Sequence, residues 1–276
     1  MNSNSSKYTL YESVEYRECY VAFLDMLGFS NKCVKKELSC SEIFKLLSIN
    51  SLINYVAKHK LLKHIIPKDV VDSTYYSIMS DSIFIAAPAN DYGLLYILYL
   101  CSFIQNMLLE NNVLLRGGIT KGEFFGKDDI VFGPAVVEAY NIERFISNFP
   151  RIVLAECIID DMKKAGLFKK KTPEYYISNA INKSEEDSIF SQIELLINQS
   201  TDDSLCFVNY LHTMQLIKLN HNPSIKQKIE DYIDKGVQSN NAKIKVKYLW
   251  TKNYYENSIK KYETIFSSIE KIRETE

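Results

Sequence analysis

Apolar residues run almost unbroken from Cys19 to Leu24 and stop at Asp25, which predicts a strand covered on both faces. Ile43, Leu46, Leu47, Ile53 and Val56 recur near the helical period, predicting a helix capped by Ser41 and reaching Lys60. Tyr75 to Met79 and Ile83 to Ala87 are strand-like runs around Ser80-Asp81-Ser82, a hairpin with an acid at its bend. The uncharged stretch from Tyr92 to Leu109 predicts a helix buried on most sides. Leu114 to Ile119 and Glu123 to Phe125 read as a strand pair, and Ile130 to Phe132 as a further short strand. Gly133-Pro134 opens another helix, since the missing N–H of proline costs nothing in a first turn. Arg151 to Ala155 is one more strand.

Interleaved strands and helices with hairpins predict an α+β sandwich, an antiparallel-rich sheet covered by helices. Beyond residue 165 the character changes. Lys169-Lys170-Lys171, Ser184 to Ser188 and Asn220 to Pro223 look like solvated connections, and Ile225 to Ile233 and Ile244 to Ile272 like helices. The last is amphipathic and is expected to dock on the main body. The expected organisation is a frayed start over 1–17, a main domain over 18–160 and a mainly helical extension over 161–276.

The 276 residues carry 33 Lys plus Arg against 34 Asp plus Glu, so no global basic surface calls for nucleic acid or an anionic membrane. Tyr92 to Leu109 is at the lower edge of bilayer-spanning length, but it holds Ser102, Gln105 and Asn106 and lacks flanking basic residues, so no membrane span is expected. The opening residues have no apolar core of signal-peptide length. The six cysteines are scattered without a C-x-x-C pair and the four histidines form no H-E-x-x-H, which suits a reducing cytoplasm and gives no zinc pattern.

Asp25 and Asp81 are each delivered by apolar backbone to a sheet edge. Two carboxylates meeting there are what a pair of hard divalent ions requires, although acids at strand ends are also common in ordinary turns. Met26-Leu27-Gly28-Phe29-Ser30 follows directly, a glycine turn whose backbone N–H groups can face an anion such as a triphosphate.

These residues also carry a family resemblance. Phe23-Leu24-Asp25-Met26-Leu27-Gly28-Phe29-Ser30 resembles the F-x-D-I-x-G-F-T signature of class III nucleotide cyclase catalytic domains, and Ser80-Asp81-Ser82 resembles their G-D-S hairpin. Leu115 to Glu123 is similar to their L-R-x-G-I-x-x-G-E strand pair, and Gly133 to Asn141 to their G-x-x-V-N-x-A-x-R helix. Within that group, the runs Phe23 to Ser30, Ser80 to Ile83, Arg116 to Ile119 and Phe132 to Glu143 look closest to the bacterial pyrimidine cyclases of Pycsar antiphage systems. Lys247-Tyr248-Leu249-Trp250 also resembles a C-terminal K-Y-x-W stretch of such proteins.

The resemblance implies a ferredoxin-type sheet and a cyclase domain ending near residue 160. It implies two Mn2+ or Mg2+ ions held by Asp25, the Met26 carbonyl and Asp81, with Leu27, Gly28, Phe29 and Ser30 around the triphosphate. It also implies a homodimer with sites at the subunit interface, UTP or less readily CTP as substrate, and a separately encoded effector activated by the cyclic nucleotide. The purine enzymes' ribose asparagine and transition-state arginine are replaced by Val137 and Asn141, and their base-reading lysine by Ser77. Together with Arg116 and Thr120, these are the candidate base or ribose contacts. The departures favour a pyrimidine base, with a purine cyclase or a silent nucleotide-binding homologue as alternatives.

Overall fold

The computed structural model describes residues 14–37, 39–48, 65–165 and 185–275. Strand β1 (Arg17–Leu27) is central, because alternate residues meet two different apolar layers. Tyr20, Ala22, Leu24 and Met26 enter the main core, and Cys19, Val21 and Phe23 a smaller one on the opposite face. On one edge β1 pairs with β3 (Ser82–Pro88), which pairs in turn with β2 (Tyr75–Met79). On the other it pairs antiparallel with β4 (Leu114–Lys127). The predicted strand pair around Gly122 is therefore one continuous strand. The turn falls later, where β4 meets β5 (Ile130–Phe132), since the Asp128 position adopts the left-handed φ of 53° that reversal needs.

Strand β6 (Ile152–Leu154) lies parallel to β4. Two further strands, β7 (Ile197–Gln199) and β8 (Cys206–Val208), extend the sheet to the order β2-β3-β1-β4-β6-β8-β7. The architecture is thus α+β, a mixed eight-stranded sheet with packed helices. The region after residue 185 belongs to it through β7 and β8 as well as through helices.

The helices are α1 (Phe29–Val34), α2 (Cys40–Leu47), α3 (Lys68–Ser73), α4 (Asp91–Glu110), α5 (Pro134–Asn141), α6 (Glu156–Lys164), α7 (Glu185–Leu195), α8 (Thr213–Asn220), α9 (Pro223–Val237) and α10 (Ala242–Thr275). The cap of α2 is Ser39 rather than Ser41: its hydroxyl accepts from the Glu42 N–H while the Glu42 carboxylate accepts from the Ser39 N–H. The predicted continuation of this helix through Ile53, Val56 and Lys60 lies outside the described residues, as does Lys169-Lys170-Lys171.

Helix α4 is long and apolar enough to cross a membrane, yet 78% of its apolar window is buried within the protein. Its polar residues serve the sheet: Gln105 donates to the Leu115 and Pro150 carbonyls at 3.3 and 3.1 Å. Helix α5 covers the other face and runs on into a π-helical turn over Ile142–Ile146. It can lie this close because position 118 is glycine; a Cβ there would fall 2.5 Å from Ile142 Cβ and 2.7 Å from the Ala139 carbonyl oxygen.

His212 stands at the N-cap position of α8 beside the Tyr99 ring, and burial pushes its imidazole down to about 4. The unfolded chain takes up this proton below about pH 6.5, whereas the folded one resists it to about 4. Stability is therefore expected to fall as pH drops through that window, by at most about 3 kcal/mol from this group. Urea midpoints of His212→Gln between pH 7 and 4 should show a flatter decline than those of the parent chain. Identical slopes would contradict the assignment.

Candidate active site

Two turns bring the two acids together. Asp25 sits near the end of β1, on the face of the sheet that carries α5, and Asp81 in the two-residue turn between β2 and β3. Ser80 takes the left-handed φ of 57° that closes this hairpin. The Met26 N–H donates to the Asp81 carbonyl at 3.0 Å, locking the turn onto the strand end. Because N–H and C=O of one strand residue point the same way, the Met26 carbonyl faces the hairpin too. Ser30, in α1, donates its hydroxyl to Asp81 Oδ2 at 3.0 Å.

Asp25 is half-buried and its carboxyl is pushed above the ordinary range, mainly by desolvation, with Asp81 adding in the same direction and Arg116 opposing. Arg116 is the residue opposite Asp25 on β4, and its Nε lies 3.4 Å from Asp25 Oδ2. Its other arm reaches Glu143, with Nη2 2.6 Å from Oε1. That approach is a close charge pair rather than a directed hydrogen bond, so Glu143 Oε1 is buried without a well-aligned donor. Burial raises the Glu143 carboxyl, which is only 3% exposed.

A fifth charged group comes from far along the chain. Lys247, half-buried on α10, lies within electrostatic reach of Arg116, Asp25 and Glu143. Neither Glu143 nor Lys247 was singled out from sequence as a site residue. Both stood in the runs that carried the resemblance, but nothing in their local pattern says that a π-helical turn and a distant helix aim them at Asp25.

The remaining predicted residues fall in three groups. Gly28 takes φ 74° with open space around it, so glycine serves the backbone conformation there. Phe29 is 3% exposed with its ring in the main core, so what it offers an anion is its backbone. Leu27 turns its side chain into the C-terminal apolar cluster.

Thr120 is fully buried, its hydroxyl 3.7 Å from Cys157 Sγ, and stands four residues along β4 from Arg116, roughly 13 Å at strand spacing. Val137 and Asn141 are exposed one turn apart on α5, and Ser77 is partly exposed on β2. The site therefore brings Asp25, Asp81, Ser30 and Arg116 together and leaves Val137 and Asn141 facing outward.

The donor set fits hard divalent ions. Among the described residues no group of three or more His, Cys, Asp or Glu is gathered. Two carboxylates with a nearby carbonyl are instead what an ion needs when it keeps several waters or takes phosphate oxygens.

No protein-family model matches the chain, and no curated protein matches it. Solved structures with a similar course of the chain include the catalytic core of a rhodopsin-guanylyl cyclase with converted specificity in complex with ATPαS. It shares 13% identity and a TM-score of 0.40 over 72% of this chain and 98% of that one. An adenylate/guanylate cyclase/hydrolase from Silicibacter pomeroyi shares 15% identity and a TM-score of 0.35 over 70% and 95%. A bacterial light-regulated adenylyl cyclase shares 13% identity and a TM-score of 0.42 over 79% of this chain and 59% of its own.

Proposed function

We propose that this protein is a nucleotide cyclase, forming a 3′,5′-cyclic nucleotide and pyrophosphate from a nucleoside triphosphate. More particularly, we read it as a pyrimidine cyclase acting on UTP, with CTP less favoured, in the cytoplasm of a cell defending itself against phage. The observation that supports this best is the juxtaposition of Asp25 and Asp81 through the 3.0 Å Met26–Asp81 backbone bond, within motifs resembling those of class III cyclases.

Asp25 and Asp81, with the Met26 carbonyl, would hold two divalent ions. Such ions, when bound, activate the attacking hydroxyl and neutralise the leaving pyrophosphate. Ser30 orients the Asp81 carboxylate by its hydrogen bond. Arg116, paired with Glu143, retains a positive group beside the site when Asp25 turns to a metal. Main-chain groups around Gly28 leave room for phosphate to approach. Val137, Asn141 and Ser77 stand where purine enzymes hold ribose and base, and none of them is the purine-selecting type. Since Val137 and Asn141 face outward, they are read as contacts offered to a second copy of the chain, in a homodimer with shared sites. The cyclic product would activate a separately encoded effector.

One observation favours a second reading, a nucleotide-binding homologue without turnover: Arg116 occupies Asp25 Oδ2 in competition with a metal ion. Offering ATP, GTP, CTP and UTP separately with Mn2+ and identifying products by mass spectrometry decides between them. Cyclic UMP is the expected main product. A purine product in excess would move the assignment to a purine cyclase, and no cyclic product from any nucleotide would remove the enzyme reading.

A further inference from the structure

Helix α10 presents a regular inner face. Trp250, Thr251, Tyr254, Tyr255 and Ile259 recur at spacings of three and four and pack inward, with Thr251 1% and Tyr255 3% exposed. The Trp250 ring stacks on Phe149 at 5.7 Å and 7°, and the Tyr254 hydroxyl donates to Asn209 Oδ1 at 2.7 Å. Lys247 lies on this inner face, three residues before Trp250 and four before Thr251, whose hydroxyl donates to the Lys247 carbonyl at 2.9 Å. Its side chain is half-buried and within electrostatic reach of Asp25 and Glu143, unlike those of Lys243 and Lys245, which are exposed. The same apolar cluster reaches the site, since Leu27, two residues after Asp25, packs against it.

A half-buried ammonium normally finds an acceptor. Among the described residues Lys247 Nζ has no hydrogen bond and no ion pair, although Asp25 and Glu143 lie within electrostatic reach. Arg116 is the nearer partner of both acids. Once Asp25 turns to metal ions, Glu143 alone is left to balance Arg116 and Lys247, and the site carries a surplus of positive charge. A polyanion is the ligand that matches such a surplus.

We propose that Lys247 is a polyphosphate-binding residue, so that the C-terminal helix completes the site by contacting the phosphate chain of the substrate or of released pyrophosphate. This rests on the reading of Asp25 and Asp81 as the place where a metal-bound triphosphate sits. It gives the extension a direct part in the chemistry.

The probe is the Mn2+ complex of inorganic tripolyphosphate, titrated calorimetrically into the full chain, because it needs neither a base nor turnover. Lys247→Ala is expected to weaken binding about tenfold or more, the loss of one charge-assisted contact, with the melting temperature nearly unchanged. Lys247→Arg should lose less, and Lys245→Ala, on the exposed side of the same helix, should bind like the parent. Should Lys247→Ala fold poorly, Lys247→Met keeps the packing stem and tests the charge alone. Unchanged affinity in a folded Lys247→Ala or Lys247→Met chain, or no binding by the parent chain, overturns the proposal. The cyclase reading fails separately: a chain that binds tripolyphosphate through Lys247 yet forms no cyclic product refutes that reading and leaves Lys247 standing.

Discussion

Asp25→Asn and Asp81→Asn are each expected to cut cyclic nucleotide formation by about a thousandfold or more, because losing one carboxylate removes several kcal/mol of metal-based transition-state stabilisation. Neither change should unfold the protein. The Asp25 carboxyl is already pushed up by desolvation, so its charged form is a burden to the folded state, and the isosteric amide removes that burden while leaving Arg116 its closer partner Glu143. The Asp81 amide keeps an oxygen for the Ser30 hydroxyl, and the Met26–Asp81 bond runs through the backbone. Melting curves should therefore stay close to that of the parent while Mn2+ binding, followed by electron paramagnetic resonance, is lost. Turnover within tenfold of the parent in either variant would mean that these are not the metal-bearing acids.

The second large effect concerns the brace that ties the C-terminal helix to the sheet. Arg151 has no exposed surface, and its guanidinium lies 5.4 Å from the Phe149 ring, 5.7 Å from Phe207 and 5.6 Å from Trp250. Its two terminal nitrogens pair with the Asp203 carboxylate, with Nη1 3.1 Å from Oδ1, and this holds the Asp203 carboxyl below the usual carboxylate range. The partners are not equivalent, since the Asp203 side chain is 35% exposed and the arginine fully enclosed.

Asp203→Ala leaves a buried cation facing only aromatic rings, and should cost about 3 kcal/mol, the scale of a broken buried ion pair. Arg151→Met keeps much of the stem's packing and returns Asp203 to water; it also removes the buried Nε, which has no partner, so it should cost about 1 kcal/mol. The double variant should resemble Arg151→Met, because the charge that made the loss of Asp203 expensive is gone. Chemical denaturation of the three variants tests this ordering, and equal or reversed costs for the two single changes would refute the brace. Since α10 carries both Trp250 and Lys247, a loosened brace should also weaken tripolyphosphate binding.

The local elements of the site are legible in the sequence because they depend on near neighbours. Unbroken apolar residues from Cys19 to Leu24 mark a strand wedged between two layers, and an acid after them must lie at its end. Ser80-Asp81 between two apolar runs marks a tight reversal, and Gly133-Pro134 marks a helix start. Glycine at 118 looked like part of a turn-rich strand pair, but it is the place where α5 presses on an uninterrupted β4, and only the packing distance distinguishes the two. Burial, which no local pattern reports, seats the Phe29 ring in the main core and the Thr120 hydroxyl against Cys157.

The chain by itself determined that two acids stand at the ends of apolar β-structure beside a glycine turn, because period and turn chemistry are local properties. Tertiary structure decided what surrounds them. Pairing of β1 with β4 sets Arg116 opposite Asp25, a π-helical turn swings Glu143 beneath it, and α10, more than two hundred residues after β1, turns Lys247 toward the same point. β7 and β8, too short to announce themselves, join the sheet and make the extension continuous with it. Charge balance around the two acids arises from long-range pairing and burial, and so exists only once the chain has folded.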